Sequence, residues 1–137
     1  MRDNVNTKKL VSILKSYFKE IPDIVVVYLF GSFLVGDVHQ ESDLDIAVLF
    51  KNKSDLQEQI KLQNDLTRLC GYEVDLAILN GASPIFIRQV IDKGKEVYCG
   101  DNKSKNLFII RVLNEYDDLK YFRRSIEENI LNGRIYA

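Results

Sequence analysis

The sequence contains no apolar run long enough to cross a membrane. A transmembrane helix needs about 20 consecutive apolar residues, and no apolar run in this 137-residue chain, of which 28% is charged, approaches that length. The first residues, MRDNVNTKKLVSILKSYF, mix lysines with apolar side chains and lack a continuous apolar core followed by a cleavage site. We therefore expect no secretory signal and a cytoplasmic protein.

Cysteine is scarce, and neither sign of charge dominates. The two cysteines, Cys70 and Cys99, lie too far apart for a metal-ligand pair and are too few for a secreted disulfide scaffold, so we expect reduced, packed thiols. Nineteen basic and twenty acidic residues give a net charge of -1. The chain therefore has no excess of basic residues to bind the phosphates of a long nucleic acid, and we expect a small nucleotide or a protein as the partner.

The composition is that of one globular domain. Hydrophobic residues make up 46% of the chain, and a chain of this length buries enough surface for one sizeable core. We predict a single domain over residues 1–137.

The first half of the chain contains two predicted helices. Apolar residues at helical spacing predict one over residues 6–22, with Asn6 or Thr7 as the N-cap. A second helix is predicted from a Ser54 cap to Gly71 at the C′ position. Its apolar side is assigned to four residues: Leu56, Ile60, Leu66 and Leu69.

Two further helices are predicted in the second half. Ser83 as a cap and Pro84 at the first helical position indicate a short helix that ends before Gly94. A long helix is predicted over residues 104–131. Because it would span about 40 Å, it exceeds what a small sheet needs as cover, and we expect part of it to serve a partner.

Four segments have the composition of strands. The first strand is predicted in the segment DIVVVYLFG and is expected to be buried on both faces. The next two strands are predicted in DLDIAVLF and YEVDLAIL, and an edge strand in KEVYCG. The alternation of helices and strands predicts an α/β (α+β) fold, with a small mixed sheet, helices packed against it and a long C-terminal helix.

Two aspartates lie at the start of the second strand. Asp43 and Asp45 are separated by one residue, so on a strand both side chains point to the same face. Two carboxylates held this close repel each other unless a cation lies beside them, and their oxygens suit Mg²⁺. The alternative is that both simply begin the strand in solvent.

A third carboxylate in the next strand favours the metal site. Asp75 lies among apolar neighbours in an alternating strand, where an unpartnered acid is unfavourable. If this strand neighbours that of Asp43 and Asp45, the three carboxylates converge and two metal ions can be held. Glu73 lies on the same predicted face and competes for the third position; we favour Asp75 because it is deeper in the strand.

Gly31 and Ser32 supply a candidate phosphate site. Gly31 ends a strand, where the missing Cβ lets a phosphate approach the backbone. Ser32 is predicted to open a short helix whose free N–H groups favour an anion. Ten residues separate Ser32 from Asp43, a spacing that returns the chain beside its first strand.

The segment GSFLVGDVHQESDLDIAVLF resembles the G-S-x10-D-x-D signature of the DNA polymerase beta-like nucleotidyltransferase superfamily, and EVDLAIL resembles its third-carboxylate strand. Nearly the whole chain is similar to the minimal nucleotidyltransferase antitoxins, the MntA type encoded beside a HEPN-domain toxin. Some superfamily members have arginine after Gly-Ser, where this chain has Phe33.

The resemblance implies an activity and roles for the residues. The family transfers AMP from ATP, in some members several AMP units, to a tyrosine of the toxin and so silences its ribonuclease activity. By this resemblance Gly31 and Ser32 hold the triphosphate, and Asp43, Asp45 and Asp75 bind two Mg²⁺ ions. Asp75 also helps to deprotonate the tyrosine.

Two other functions stay open. One is transfer of a nucleotide to a small acceptor, although known enzymes of that kind usually carry an added acceptor-binding domain, for which this chain has little room. The other is an antitoxin that blocks the toxin by binding alone. The neighbouring gene and a labelling reaction with ATP would separate these functions. No base-reading residue is identifiable.

Overall fold

The computed structural model describes residues 2–31 and 44–131 of the chain. Its strands, β1 to β4 in chain order, are Ile24–Phe30, Leu44–Phe50, Val74–Ile78 and Lys95–Cys99. Its helices, α1 to α4, are Arg2–Lys19, Leu56–Cys70, Pro84–Lys93 and Asn102–Leu131. The short helix predicted from Ser32 lies outside the described residues. Within the described ranges, no helix is long and apolar enough to span a membrane.

The strands form one sheet in the order β3-β2-β1-β4. Strand β1 pairs antiparallel with β2 and with β4, while β2 pairs parallel with β3. The predicted mixed sheet and the edge position of β4 are confirmed. A parallel pair needs a crossover, which α2 provides between β2 and β3.

Each face of the sheet is covered by two helices. Val27 and Leu29 of β1 pack in a core with α1 and α2, while Val26 and Tyr28 pack on the opposite face with α3 and α4. All four of these side chains are buried. The prediction that the first strand is buried on both faces is confirmed.

Strand β3 alternates between the two faces as predicted. Val74, Leu76 and Ile78 pack in the core on the α1 and α2 side, and Ala77 packs on the α3 and α4 side. Asp75 therefore shares its face with Ala77, because alternate residues of a strand point to the same side. Strand β3 lies at the edge of the sheet, next to β2.

The start of α1 differs from the prediction. The helix begins at Arg2, so neither Asn6 nor Thr7 is its N-cap. No glycine or proline precedes Asn6 to stop the helix, and polar residues such as asparagine are tolerated within a helical turn.

Helix α2 corrects one prediction and confirms another. Its N-cap is Asp55, not Ser54, because the Asp55 carboxylate accepts a hydrogen bond of 2.8 Å from the Glu58 backbone N–H. The hydroxyl of Ser54 instead accepts from the Gln59 side chain at 3.1 Å. Gly71 ends the helix in the left-handed conformation, as predicted.

The apolar side assigned to α2 was largely wrong. Leu56, Ile60 and Leu69 are exposed, and of the four predicted residues only Leu66 is buried. Leu62 accompanies Leu66 in the core, because residues four apart lie on one face of a helix.

Helices α3 and α4 agree more closely with the predictions. Ser83 caps α3 by accepting hydrogen bonds from the backbone N–H groups of Ile85 and Phe86. Helix α4 begins at Asn102, two residues earlier than predicted, and Asp101 accepts hydrogen bonds from the backbone and hydroxyl of Ser104.

The second half of α4 extends past the sheet. The helix is about 45 Å long at 1.5 Å per residue. Phe108 and Val112 are buried, whereas the described side chains from Asp117 onward are exposed. Leu119 and Ile126 line a groove of about 460 Å³ that Ile85 of α3 completes on the other side. The expectation that a partner uses this part of α4 stays a prediction.

Candidate active site

Three strands bring Phe30, Asp45 and Asp75 into one row across the sheet. Phe30 lies opposite Asp45 in the antiparallel β1–β2 pair, and Asp45 lies opposite Asp75 in the parallel β2–β3 pair. Directly opposite residues point to the same face, and neighbouring strands are about 4.8 Å apart. The row therefore places two carboxylates side by side.

The row lies on the face that α3 and α4 cover. Ala47 and Leu49, two and four residues after Asp45, both pack in the core on that side. Phe30 packs against the same core. Because β1 ends at Phe30 while β2 and β3 are just beginning, the two aspartates lie at one end of the sheet, at the margin of the core on the α3 and α4 side.

The two aspartates differ in exposure. Asp45 is half-buried and Asp75 is exposed. Asp75 has apolar neighbours in its strand, as predicted, but its own side chain is exposed, because β3 is an edge strand and Asp75 lies near its start. One carboxylate of the pair is therefore partly shielded from solvent, and the other is accessible to it.

The register distinguishes Asp75 from its competitor Glu73. Glu73 precedes β3, and its backbone carbonyl accepts a 2.7 Å hydrogen bond from the N–H of Leu44. Asp75 lies two residues after Glu73 in the chain and is the residue opposite Asp45 in the β2–β3 pair. Of the two acids, Asp75 therefore lies closer to Asp45.

Gly31 lies against the carboxylate of Asp45. It follows β1 directly and has a φ of 85°, a conformation that glycine adopts without strain. A Cβ built on Gly31 would overlap Asp45 Oδ2 and lie 2.9 Å from its Cγ. The glycine thus allows the end of β1 and the Asp45 carboxylate to occupy the same small region.

Ser32 and Asp43 lie outside the described residues, so their predicted roles stay predictions. Among the residues that are described, no group of three or more His, Cys, Asp or Glu side chains could together hold a metal ion. In this part of the chain the predicted metal site consists of the Asp45–Asp75 pair. Carboxylate oxygens are the hard ligands that Mg²⁺ prefers, so the pair fits that ion.

Two aromatic residues at the site were not predicted. The rings of Phe30 and Phe86 are 5.9 Å apart between centroids and nearly perpendicular, at 77°. Phe30 neighbours Asp45 in the row, and Phe86 belongs to α3. The signal for Phe30 was its position immediately before Gly31, whereas no feature of the sequence indicated Phe86.

The two cysteines are free, as expected. Burial raises the pKa of the Cys70 thiol to about 11, so this thiol is protonated at neutral pH and unreactive.

A profile of the family Polymerase beta, Nucleotidyltransferase matches residues 12–103. The match therefore includes Gly31, Asp45 and Asp75. The chain is also 31% identical over 127 residues to the protein adenylyltransferase MntA of Shewanella oneidensis, covering 93% of this chain and 88% of that protein.

Several solved structures with the same fold are toxin–antitoxin complexes. One, crystallised with AMP-PNP, contains a chain with 30% identity and a TM-score of 0.67, and the match covers 96% of this chain and 99% of that one. Another holds the tri-AMPylated HEPN toxin of Shewanella oneidensis with its MNT antitoxin. There the identity is 28%, the TM-score is 0.65, and the match covers 94% of this chain and 98% of that one.

Proposed function

The chain belongs to the polymerase beta nucleotidyltransferase family, and on this premise we propose that it is an antitoxin that transfers AMP from ATP to a tyrosine of a cognate HEPN ribonuclease toxin. The observation that carries the proposal is the register that sets Asp45 directly opposite Asp75. The similar chains include a named protein adenylyltransferase and an antitoxin bound to an AMPylated toxin.

The two aspartates would hold Mg²⁺, together with Asp43. The paired carboxylates offer hard oxygen ligands on one face of the sheet, and two like charges opposite each other destabilise a sheet without a cation. When bound, one or two Mg²⁺ ions would supply positive charge to the triphosphate oxygens and to the leaving group. Gly31 and Ser32 are the residues we assign to the triphosphate.

The transfer exchanges one bond at phosphorus for another. The tyrosine oxygen forms a bond to the α-phosphorus of ATP, the bond to the bridging oxygen of the β-phosphate breaks, and pyrophosphate leaves with the electron pair. A phenol with a pKa near 10 is protonated at neutral pH and needs a nearby base. Asp75 is exposed, so it can accept the phenolic proton and pass it to water.

A protein substrate requires an open site. Asp75 lies on an edge strand and is exposed, so a tyrosine presented by another protein can approach its carboxylate. ATP is a cytoplasmic substrate, and we propose the cytoplasm as the location.

One experiment separates transfer from the two other functions. The chain is mixed with Mg²⁺, ATP labelled at the α-phosphate, a candidate HEPN toxin and an aminoglycoside as a small acceptor, and the products are separated by mass. Label on the HEPN protein, with loss of its ribonuclease activity, supports the proposal. Inhibition without label supports an antitoxin that only binds, and label on a small acceptor such as an aminoglycoside supports a small-molecule transferase.

A further inference from the structure

We propose that the protein that carries the acceptor tyrosine docks in the groove between α3 and the second half of α4, and that it binds there through an amphipathic helix with acidic residues beside its apolar side. Docking of this kind rests on the proposed function, because that function requires a protein as the acceptor. The groove would hold this protein while its tyrosine reaches Asp75.

The groove is lined by apolar side chains with charged side chains beside them. Ile85 of α3 lies on one side, and Leu119 and Ile126 of α4 lie on the other. All three apolar side chains are exposed, and they line a volume of about 460 Å³. Single exposed apolar residues are ordinary, but a group of them with a charged rim is typical of a surface that binds another protein.

The groove has the length and shape that suit a helix. Leu119 and Ile126 are seven positions apart in the sequence, so α4 rises about 10 Å between them, which is about two helical turns. A helix packs into a groove between two others by inserting apolar side chains that recur every three or four residues. We therefore assign an amphipathic helix of the partner to this groove.

Two contacts connect the groove with the row of Phe30, Asp45 and Asp75. Ile85, which lines the groove, is followed by Phe86, whose ring meets that of Phe30 at 5.9 Å. Phe30 is the last residue of β1 and lies opposite Asp45. The groove therefore adjoins the end of the sheet at which the two carboxylates lie, so a protein that occupies it is held close to the site.

The start of α4 lies at the other end of the sheet. Leu107 and Arg111 line a second groove together with Val25, near the start of β1, and Phe50, at the end of β2. Because β1 runs from that end towards the row, this second groove is remote from the carboxylates. Its residues on α4 are therefore matched controls for residues on the second half of the same helix.

The charges of the groove near the site favour an acidic partner. Lys120 and Arg123 line it together with one acid, Glu127, so the lining carries a net positive charge. In the part of the chain that the structure describes, neither Lys120 nor Arg123 forms an ion pair. Carboxylates on the partner helix would complement these two cations, and complementary charges at the rim of an interface speed association.

The test measures the binding of a candidate HEPN toxin to the immobilised chain without ATP, by biolayer interferometry. Leu119→Ser and Ile126→Ser should each weaken binding about tenfold, as expected for an apolar residue that an interface buries. Leu107→Ser should bind as the wild type does. Leu119 is 44% exposed and Leu107 is 60% exposed, so both serine variants should fold, which circular dichroism checks.

A second pair of variants tests the charge of the partner. Arg123→Glu should slow association with the toxin and reduce the dependence of the association rate on salt, because it reverses a charge at the rim. Arg111→Glu reverses an exposed arginine of the same helix at the remote groove and should change neither quantity. Equal effects of the two variants would show that only the net charge of the chain matters.

Wild-type binding of the toxin by folded Leu119→Ser and Ile126→Ser variants would overturn the proposal, as would an equal loss of binding in Leu107→Ser. Sedimentation velocity of the chain alone tests the other occupant. A dimer that Leu119→Ser dissociates would show that the groove binds a second copy of this chain and would also overturn the proposal.

The labelling reaction with α-labelled ATP separates this failure from that of the proposed function. If the wild type labels the toxin and Leu119→Ser binds it as tightly as the wild type does, only the docking surface is wrong. If the wild type binds the toxin, Leu119→Ser weakens this binding and no label is transferred, the proposed function fails while the groove remains the toxin-binding surface. If the wild type neither binds nor labels the toxin, both fail.

Discussion

The carboxylate of Asp45 occupies the space that a side chain at Gly31 would need. A Cβ on Gly31 would overlap Asp45 Oδ2 and lie 2.9 Å from Cγ, whereas a Cβ on Gly71 or Gly81 would meet nothing within 4 Å. All three glycines have positive φ, so the conformation alone does not distinguish Gly31. Gly31 differs from the other two because the carboxylate of Asp45, a residue of the candidate site, lies where its Cβ would be.

This relationship predicts different outcomes for two alanine variants. Gly31→Ala should lower AMP transfer by about 100-fold, because a displacement of about 1 Å at a reacting group has an effect of that size. Gly81→Ala carries the same backbone strain, about 1 kcal/mol, and should transfer AMP as the wild type does. Steady-state labelling of the HEPN protein measures both. Equal rates for the two variants would show that Gly31 matters only for its φ.

The paired carboxylates predict a metal-dependent stability. In EDTA, Asp75→Asn should unfold at a slightly higher temperature than the wild type, because one of two like charges opposite each other has been removed. Added Mg²⁺ should raise the Tm of the wild type but not that of Asp75→Asn, since a ligand that binds only the folded state stabilises it. Thermal unfolding with and without Mg²⁺ measures this difference. An equal rise in the Tm of both proteins would show that Mg²⁺ binds at a site that does not include Asp75.

The raised pKa of Tyr17 predicts that the folded state loses stability at high pH. Burial, and then the 3.1 Å hydrogen bond that its hydroxyl donates to Asp65, raise its pKa to about 12. The unfolded chain loses this proton near pH 10, so the contribution of Tyr17 is complete below pH 10 and disappears as the pH rises to 12. Tyr17→Phe should therefore lose less stability than the wild type between pH 9 and pH 11.5.

Urea unfolding at the two pH values measures the difference, and every other titrating group cancels between the two proteins. An equal loss in both would mean that Tyr17 is deprotonated at its ordinary pKa. Tyr28, whose pKa burial also raises to about 12, should account for part of the decline that remains.

The strands were predictable because the residues that form them and the residues that end them are adjacent in the sequence. Val25 to Leu29 are continuous apolar residues that stop at Gly31, and the Ser83–Pro84 pair marks the start of α3. The positions of Asp45 and Asp75 on one face followed from the period of two along each strand and from the assumption that the two strands are neighbours.

The buried side of α2 could not be predicted in the same way. Leu56 and Ile60 form one apolar stripe on this helix, and Leu62 and Leu66 form another, each with a spacing of four. Only the packing of α2 against the sheet selects the second stripe and leaves the first exposed. Periodicity indicates that a helix is amphipathic, but two stripes leave its orientation undetermined.

The aromatic part of the site depends on contacts between distant segments. Phe30 and Phe86 are 56 positions apart in the sequence, and their rings meet because α3 crosses the end of β1. No local pattern carries that information. The exposure of Asp75 was also unpredictable, because it depends on β3 being at the edge of the sheet.

The most direct test of the account compares Asp75→Asn with Glu73→Gln in the transfer of α-labelled AMP from ATP to the HEPN protein. Both variants replace one carboxylate by an amide, Glu73 just before β3 and Asp75 within it, but only Asp75 lies opposite Asp45. If Asp45 and Asp75 form the metal site, Asp75→Asn abolishes labelling while Glu73→Gln labels at the wild-type rate, with both proteins folded by circular dichroism. Full labelling by Asp75→Asn would contradict it.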